Sequence, residues 1–203
     1  PYVAANHVLT ILVATAGVAF LFLLGYEILG IRTGVLAGAF FAFFPRFVAH
    51  AHYNPKDIPM VVLATGAVYY VLRGLRTKTT APWLIAGAIT GLAAATKFDA
   101  LFLPLFVLAA LALSCVQGHT RVRQAALHYS VYLSLLAAAL FLSWPYLWAH
   151  PRFLLEAVSS FAGDFQPFSV LLAGTSYSNA STPWYYYPLY LLITVPLALW
   201  ILA

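Results

Sequence analysis

Uncharged apolar runs constrain this chain more than any other feature. Several long stretches contain no Asp, Glu, Lys or Arg, among them residues 8–26, 35–44, 84–95, 101–116 and 131–142. A soluble domain of this length needs a polar surface, whereas lipid as the surrounding solvent permits such runs. The sequence therefore predicts an integral membrane protein whose folded part is helical, because a helix satisfies its own backbone hydrogen bonds.

The composition argues against a soluble domain and against a nucleic-acid-binding protein. Hydrophobic residues make up 64% of the 203 residues and charged residues only 7%, against about a quarter charged in soluble domains. The net charge of +5 does not indicate nucleic-acid binding, because the basic residues form short clusters at the ends of apolar runs instead of one basic face. The single cysteine, Cys115, lies in an apolar run and is interpreted as a packing residue.

The apolar runs predict an all-α polytopic fold. Three loops, 30–33, 73–78 and 117–123, hold six of the ten Lys and Arg residues and no acid, so the positive-inside rule predicts that they are cytoplasmic. We expect one membrane-embedded region over residues 1–203, with about seven transmembrane or partly spanning helices. These are residues 8–29, 34–49, 58–72, 82–97, 100–116, 125–147 and 184–202.

Counting crossings from those loops brings the remaining polar groups together on the extracytoplasmic side. They are Asn6-His7, the His-Asn-Pro-Lys-Asp turn, the Lys97-Phe98-Asp99 junction and the segment 148–183. That segment is longer than ordinary connections of about two to eight residues. It is rich in aromatic residues, and the apolar spacing of residues 151–161 predicts an amphipathic helix lying on the interface.

The turn within "HAHYNPKDIP" has a structural explanation for most of its residues. Pro55 favours an extended Asn54, and Asp57 stands where an N-cap is expected for a helix that begins at Ile58. Lys56 has no such explanation, because a cation at a helix N-terminus opposes the macrodipole. Free N–H groups and a cation together suit an anion, so Lys56 is the leading candidate for contact with a phosphate.

Two histidines precede that turn. A spacing of two residues places His50 and His52 on different faces of a helix, and no cysteine or HxxxH spacing accompanies them. We interpret them as polar lining or phosphate contacts, with a divalent metal site as the alternative. Arg46, one turn before His50, suits either a headgroup anchor or a functional role.

Further cations lie at other junctions on the same side. Lys97 and Asp99 interrupt an apolar hairpin, and two explanations stay open: a mutual ion pair, or a Lys97 that faces the same vestibule as Lys56 and shares its anion. Arg152 suits an interfacial anchor or a substrate contact. Tyr185 stands in "PWYYYPLY", where an aromatic belt is expected.

The ordered set of these motifs resembles a known family. "FFPRFVAHAHYNPKDIP", "ITGLAAATKFDALFLPL", "WPYLWAHPRF" and "AGTSYSNASTPWYYYPLYLLITVPLAL" are similar in content and order to the dolichyl-phosphate-mannose protein mannosyltransferases, in the GT-C superfamily that includes the bacterial aminoarabinose lipid A transferases. The resemblance implies an inverting transfer of a sugar from a polyprenyl-phosphate carrier to an extracytoplasmic acceptor, which needs cations for the leaving phosphate and a carboxylate base.

Membership also implies expectations for single residues. Lys56, and less directly Lys97, His50, His52 and Arg152, are expected to bind substrate, with Tyr185 lining the acceptor or sugar site. Residues 8–29 resemble the second membrane helix of the family, so the loop with its catalytic aspartate is expected upstream and residues 1–203 alone are expected to be inactive. Neither Asp57 nor Asp99 matches the position of that base, so no catalytic residue is assigned.

Two other classes also gather charge in a membrane. A transporter predicts ionisable residues near helix centres and an inverted repeat, whereas here the charges stand at helix ends and no repeat is visible. A non-catalytic membrane scaffold is the other alternative. We expect a multi-pass protein of a bacterial inner or plasma membrane, with its active side extracytoplasmic and partners in membrane lipids and a lipid-linked sugar; the sequence does not identify the acceptor.

Overall fold

The structure is a computed structural model that describes residues 2–163, 169–178 and 181–195. By its internal contacts the chain forms two compact units, Pro1–Trp148 and Ala149–Ala203. The described residues are largely helical, which confirms the prediction of an all-α polytopic membrane protein. The two units are described one after the other.

The first unit begins with three helices: α1 (Tyr2–Leu29), α2 (Ile31–Ala42) and α3 (Pro45–Tyr53). The predicted single helix over residues 34–49 is wrong, because α2 and α3 are bent by 57° at the break between them. Pro45 causes the break: it disfavours a helical conformation at the preceding residue, and Phe44 is extended with φ −68° and ψ 110°. Pro45 then occupies the first turn of α3, where a missing N–H costs nothing.

Short loops connect the remaining helices of the first unit. They are α4 (Asp57–Thr77), α5 (Ala81–Thr96), a 3₁₀ helix (Phe98–Phe102), α6 (Leu103–Val116), α7 (Val122–Ser143) and α8 (Tyr146–Ala149), the last of which runs across the boundary between the units. Helix α7 ends four residues before its predicted end at 147. Pro145 again explains the difference, since Trp144 before it is non-helical, with φ −121° and ψ 84°.

Four helical spans in the described residues are long and apolar enough to cross a membrane: Ala5–Leu29, Asp57–Thr77, Phe98–Val116 and Val122–Ser143. The bent pair α2 and α3 makes a fifth if it counts as one crossing. Helix α5 is apolar but has only 16 residues, less than the roughly 20 that a full crossing needs. The expected number of about seven crossings therefore stays a prediction.

The core of the first unit is centred on the contact between α5 and α7. A side chain at Gly87 or Gly91 would overlap the carbonyl oxygen of Tyr132 or Leu136 on α7, so the two backbones pack as closely as small residues allow. The fully buried Tyr132 hydroxyl donates to Thr90 Oγ1 at 3.1 Å. A second buried cluster joins α1, α3 and α4 through Ala14, Phe47, Ala51, Ile58 and Val62.

Helix α4 separates two ends of the first unit. At 1.5 Å per residue its 21 residues span about 30 Å between Asp57 and Thr77. Next to Thr77, Arg76 approaches Glu27 of α1 and Lys78 approaches Gln124 of α7, so the three basic segments meet at that end. Residues 73–77 and 31–33, predicted as loops, are the end of α4 and the start of α2. Next to Asp57, His52 and Pro55 share a groove with Asn6 and His7, while Asp57 contacts Lys97. The structure thus groups three of the four predicted polar sites, Asn6-His7, the turn and the Lys97 junction; for the segment 148–183 the grouping stays a prediction.

The second unit contains α9 (Phe153–Gly163), the strands β1 (Ser169–Leu172) and β2 (Thr175–Ser178), and α10 (Tyr186–Thr194). Helix α9 corresponds to the helix predicted over residues 151–161; its place on an interface stays a prediction. The antiparallel hairpin was not predicted. Its two-residue loop, Ala173-Gly174, has φ values of 50° and 83°, as a type I′ turn requires. Of the helix predicted over 184–202, residues 196–202 lie outside the described residues.

Candidate functional site

The candidate site lies where α3 ends and α4 begins. Asn54 ends α3 in a non-helical conformation, φ −109° and ψ 88°, as expected before a proline. Helix α4 begins at Asp57, one residue earlier than predicted, so the expectation that Asp57 is the N-cap is wrong. The cap is instead provided by Asn54, whose Oδ1 accepts the backbone N–H of Lys56 at 3.3 Å and of Asp57 at 3.0 Å, satisfying two otherwise unpaired donors.

This capping geometry fixes the orientation of the Asn54 amide. Because Oδ1 accepts two N–H groups, Nδ2 is the donor side, and it donates to Asp57 Oδ2 at 2.8 Å. Its second partner is His50 Nδ1 at 3.1 Å, which must act as the acceptor. A neutral imidazole with Nδ1 as acceptor carries its proton on Nε2. The structure therefore assigns His50 an Nε2–H that can donate to a ligand.

Lys97 joins the turn from the end of α5. Its Nζ lies 3.0 Å from Asp57 Oδ1 and 3.1 Å from Asp99 Oδ2, so the predicted pair with Asp99 forms and a second carboxylate shares it. The hydrogen bond to Asp57, followed by the one to Asp99, raises the pKa of Lys97 above its usual value. One cation and two carboxylates sum to a charge of −1. The Lys97 charge is thus already neutralised, which weakens the hypothesis that it binds a phosphate.

We call the chain of contacts from His50 through Asn54, Asp57 and Lys97 to Asp99 the polar network. It joins α3, α4, α5 and the 3₁₀ helix, which come from residues far apart in sequence. The side chains of Lys97 and Asp57 keep 41% and 43% of their accessibility, so the network is open to solvent or ligand at this end.

A groove of about 240 Å³ lies beside the polar network. Its polar lining is Arg46, His50 and Asp57, and the rest is aromatic or aliphatic: Phe41, Phe44, Phe47, Ile58 and Val61. We call it the Arg46 groove. The one-turn spacing of Arg46 and His50 was the sequence signal for their shared face, although Arg46 was not among the predicted substrate contacts.

A second groove of about 220 Å³ lies on another face of α3. His52 and Tyr53 line it with Asn6, His7 and Thr10 of α1 and Pro55 of the turn. The structure therefore separates His50 from His52, as the helical spacing predicts. The described residues contain no group of three or more His, Cys, Asp or Glu side chains suited to hold a metal ion.

The other predicted site residues differ in their surroundings. Lys56 is exposed, and within the described residues its ammonium group has no partner, so it is available to an anion. Arg152 and Tyr185 belong to the second unit. Arg152 precedes α9 and is exposed, and Tyr185 is the N-cap of α10, with its ring centre 5.9 Å from that of Trp184.

Comparison with known families connects the first unit to an enzyme class. A sequence model of the dolichyl-phosphate-mannose-protein mannosyltransferases matches residues 4–144, which is more than two thirds of the chain. The chain belongs to this family. It is therefore a membrane glycosyltransferase of the GT-C type, and the resemblance predicted from its motifs is confirmed. No curated protein and no solved structure matches it.

The extent of the match bears on the site. The mannosyltransferase family match ends within the first unit, so it includes the polar network and both grooves but not Arg152 or Tyr185. In this mannosyltransferase-family chain the substrate-binding hypothesis is consequently better founded for His50 and Lys56 than for the two residues of the second unit.

Proposed function

We propose that the protein transfers a sugar from a polyprenyl-phosphate donor to an acceptor hydroxyl, with inversion at the anomeric carbon, at the end of the first unit that holds the polar network. The basic loops at the other end support an extracytoplasmic position for this site by the positive-inside rule. The observation that carries the proposal is the Arg46 groove, where polar donors and apolar walls adjoin in a chain of this family.

A lipid-linked donor requires those two surfaces together. Its phosphate needs hydrogen-bond donors and positive charge, and its isoprenoid chain needs an apolar wall. In the proposed arrangement the His50 Nε2–H and the Lys56 ammonium contact the phosphate, Arg46 adds positive charge, and the phenylalanines of the Arg46 groove pack against the first isoprene units. These contacts strengthen as the phosphate gains charge on leaving, which is what accelerates the transfer.

The reaction itself breaks the bond between the anomeric carbon and the phosphate oxygen while the acceptor oxygen attacks from the opposite face. The acceptor proton passes to a base, and polyprenyl phosphate leaves. We do not assign that base to Asp57 or Asp99, because each carboxylate is held by Lys97 and a carboxylate paired with a cation is a poor proton acceptor. Lys97 is proposed as a positioning residue that holds Asp57 and thereby the turn.

Lys56 provides the decisive test. The intact gene product, purified from membranes, is assayed for transfer from a radiolabelled polyprenyl-phosphate sugar. Loss of one preorganised contact to developing charge lowers a rate about 100-fold to 1,000-fold. We therefore expect the transfer rate of Lys56→Ala to be lower than that of the wild type by that factor. Arg32→Ala removes a charge from the opposite end and is expected to keep the wild-type rate. An unchanged rate in Lys56→Ala would show that this phosphate contact is wrong.

His50 allows a finer test of the same site. In His50→Gln the side-chain amide can reach the position of Nε2–H, whereas in His50→Asn it reaches only that of Nδ1. We expect the glutamine variant to keep more transfer activity than the asparagine variant, and the reverse order would contradict the proposed tautomer. Tyr185→Phe and Arg152→Gln in the same assay test two further predicted contacts.

A further inference from the structure

A third groove lies at the basic end of the first unit, about 30 Å along α4 from the polar network. It has a volume of about 380 Å³, which exceeds that of either groove at the site. It is formed by the end of α4, the second half of α6 and the loop after α6. Its lining residues are Leu75, Arg76, Lys78, Ala110, Leu113, Ser114, Gln117 and His119.

The charges in this groove, which we call the Lys78 groove, are of one sign. No acid is among its lining residues. Arg76 is paired with Glu27, whose carboxylate lies 3.6 Å away and whose backbone carbonyl accepts a hydrogen bond from Arg76. Within the part of the chain that the structure describes, the side chains of Lys78 and His119 have no partner. A cation and an imidazole therefore line the groove without a counter-charge.

The backbone of Lys78 is fixed from two sides. Its N–H donates to Gly74 O at 3.0 Å, and its carbonyl accepts from Gln124 Nε2 at 3.2 Å. Its φ of 56° and ψ of 20° are left-handed, a conformation that a side chain makes costly and that usually belongs to glycine where a helix ends. A lysine at a position that favours glycine suggests that its side chain has a use.

The loop that carries His119 is fixed as well. Ser114 O accepts the N–H of His119 at 2.9 Å and of Thr120 at 3.2 Å. The buried hydroxyls of Ser114 and Thr120 lie 2.7 Å apart. His119 is thus positioned by a hydrogen-bonded turn, and the groove has defined walls on both sides.

We propose that the Lys78 groove binds the phosphate of an anionic phospholipid headgroup, with one acyl chain along α6. Lys78 and His119 meet the phosphate, and Leu75, Ala110 and Leu113 meet the first methylenes of the chain. Helix α6 continues this apolar surface at Phe106, which is one turn before Ala110 on the same face and is exposed. A free phosphate would have no use for these walls, so charge and apolar surface together favour a lipid.

The test measures lipid retained by the intact gene product in dodecyl maltoside, by native mass spectrometry, with dioleoyl phosphatidylglycerol and dioleoyl phosphatidylcholine compared. Lys78→Gly removes the side chain and suits the left-handed backbone, so it is expected to fold at least as well as the wild type. We expect it to retain about fivefold less phosphatidylglycerol, the effect of one basic residue near an anionic lipid, with phosphatidylcholine unchanged. Arg123→Gln is the matched control, since it removes one charge from the same end outside the groove.

Three results would overturn the proposal. Equal loss of phosphatidylglycerol in Lys78→Gly and Arg123→Gln would show that only the total charge of this end matters. Equal retention of the two lipids by the wild type would show that the groove does not select a charge. Displacement of phosphatidylglycerol by millimolar inorganic phosphate, as effectively as by the lipid itself, would show a simple phosphate site.

Discussion

The two ends of the first unit use charge in opposite ways. At the polar network, groups of both signs come from two stretches of the chain, residues 50–57 and 97–99, and bind one another, as Lys97 does with Asp57 and Asp99. At the Lys78 groove no acid is among the lining residues; the neighbouring Glu27 is paired with Arg76, and Lys78 has no partner within the described residues. The first end is built to hold a geometry, and the second is built to hold an excess of positive charge.

This difference agrees with the functions proposed for the two ends. An excess of cations sets orientation and attracts anionic lipid, and it needs no exact arrangement. A site that positions a phosphate and a sugar needs fixed donors, and their placement contributes most of the benefit. Asn54 shows this requirement, since one side chain caps α4, binds Asp57 and sets the His50 tautomer.

The largest expected effect comes from disturbing the packing of α5, the helix that links the two ends, against α7. Gly91 lets α5 lie directly against α7. In Gly91→Leu the side chain meets the backbone of α7, which cannot yield, so α5 and Lys97 must shift; we expect a loss of about 3 kcal/mol or more in stability and no transfer activity. Thermal unfolding in detergent measures it. Ala109→Leu adds the same side chain on an exposed face of α6 and should unfold near the wild-type temperature. Equal stability of the two variants would contradict the tight packing.

The next effect isolates the polar network. Lys97→Met leaves Asp57 and Asp99 without their shared cation, which changes the charge of the three positions from −1 to −2. We expect transfer to fall about 100-fold, because the turn that positions Lys56 and His50 is displaced. The double variant Lys97→Met with Asp57→Asn restores the charge of −1 and should recover part of the lost unfolding temperature. If Lys97→Met transfers as the wild type does, the network does not position the site.

A smaller effect distinguishes the functions of Asn54. Asn54→Ala removes the cap of α4 and costs about 1 kcal/mol, and it also releases His50. Asn54→Asp keeps an acceptor for the N–H groups of Lys56 and Asp57 but removes the donor to Asp57 and adds a negative charge. At low pH, where carboxylates are protonated, we expect the aspartate variant to lose less stability than the alanine variant. Its loss of transfer activity should be larger than this loss of stability suggests. Parallel loss of both properties in both variants would reduce Asn54 to a cap.

Much of this fold could be predicted from the sequence because apolar runs and charge clusters are local signals. The positions of α1, α4 and α6 and the grouping of the basic loops are read from the composition of each segment. The bend between α2 and α3 was missed although Pro45 was visible. Apolar residues continue through the bend, and an apolar pattern does not show where a helix axis changes direction. The hairpin was missed because its turn has Ala173, not asparagine, before Gly174.

The candidate site was predicted less completely for a different reason. That Lys56 stands in a turn and that Lys97 and Asp99 attract one another are consequences of neighbouring residues. The contact of Lys97 with Asp57 joins residues 40 positions apart, and it depends on how α5 packs against α4. Without knowledge of that contact, Lys97 is interpreted as a cation that is available to bind a phosphate. The Lys78 groove was likewise invisible, because the sequence shows six cations in three loops but not which of them lack a partner.

The smallest expected effect concerns the pH range over which the ion pairs of Lys97 in the polar network stabilise the protein. The pKa of Lys97 is raised in the folded protein by Asp57 and then Asp99, from a usual value of 10.5. A raised pKa contributes stability that is fully present below the unfolded value and is lost as pH rises through the folded value. The difference in unfolding temperature between the wild type and Lys97→Met should therefore stay constant from pH 7 to about 10 and shrink above it. A difference that already shrinks between pH 7 and 9 would mean that the carboxylates do not hold Lys97, and that the contrast between the two ends is smaller than their geometry indicates.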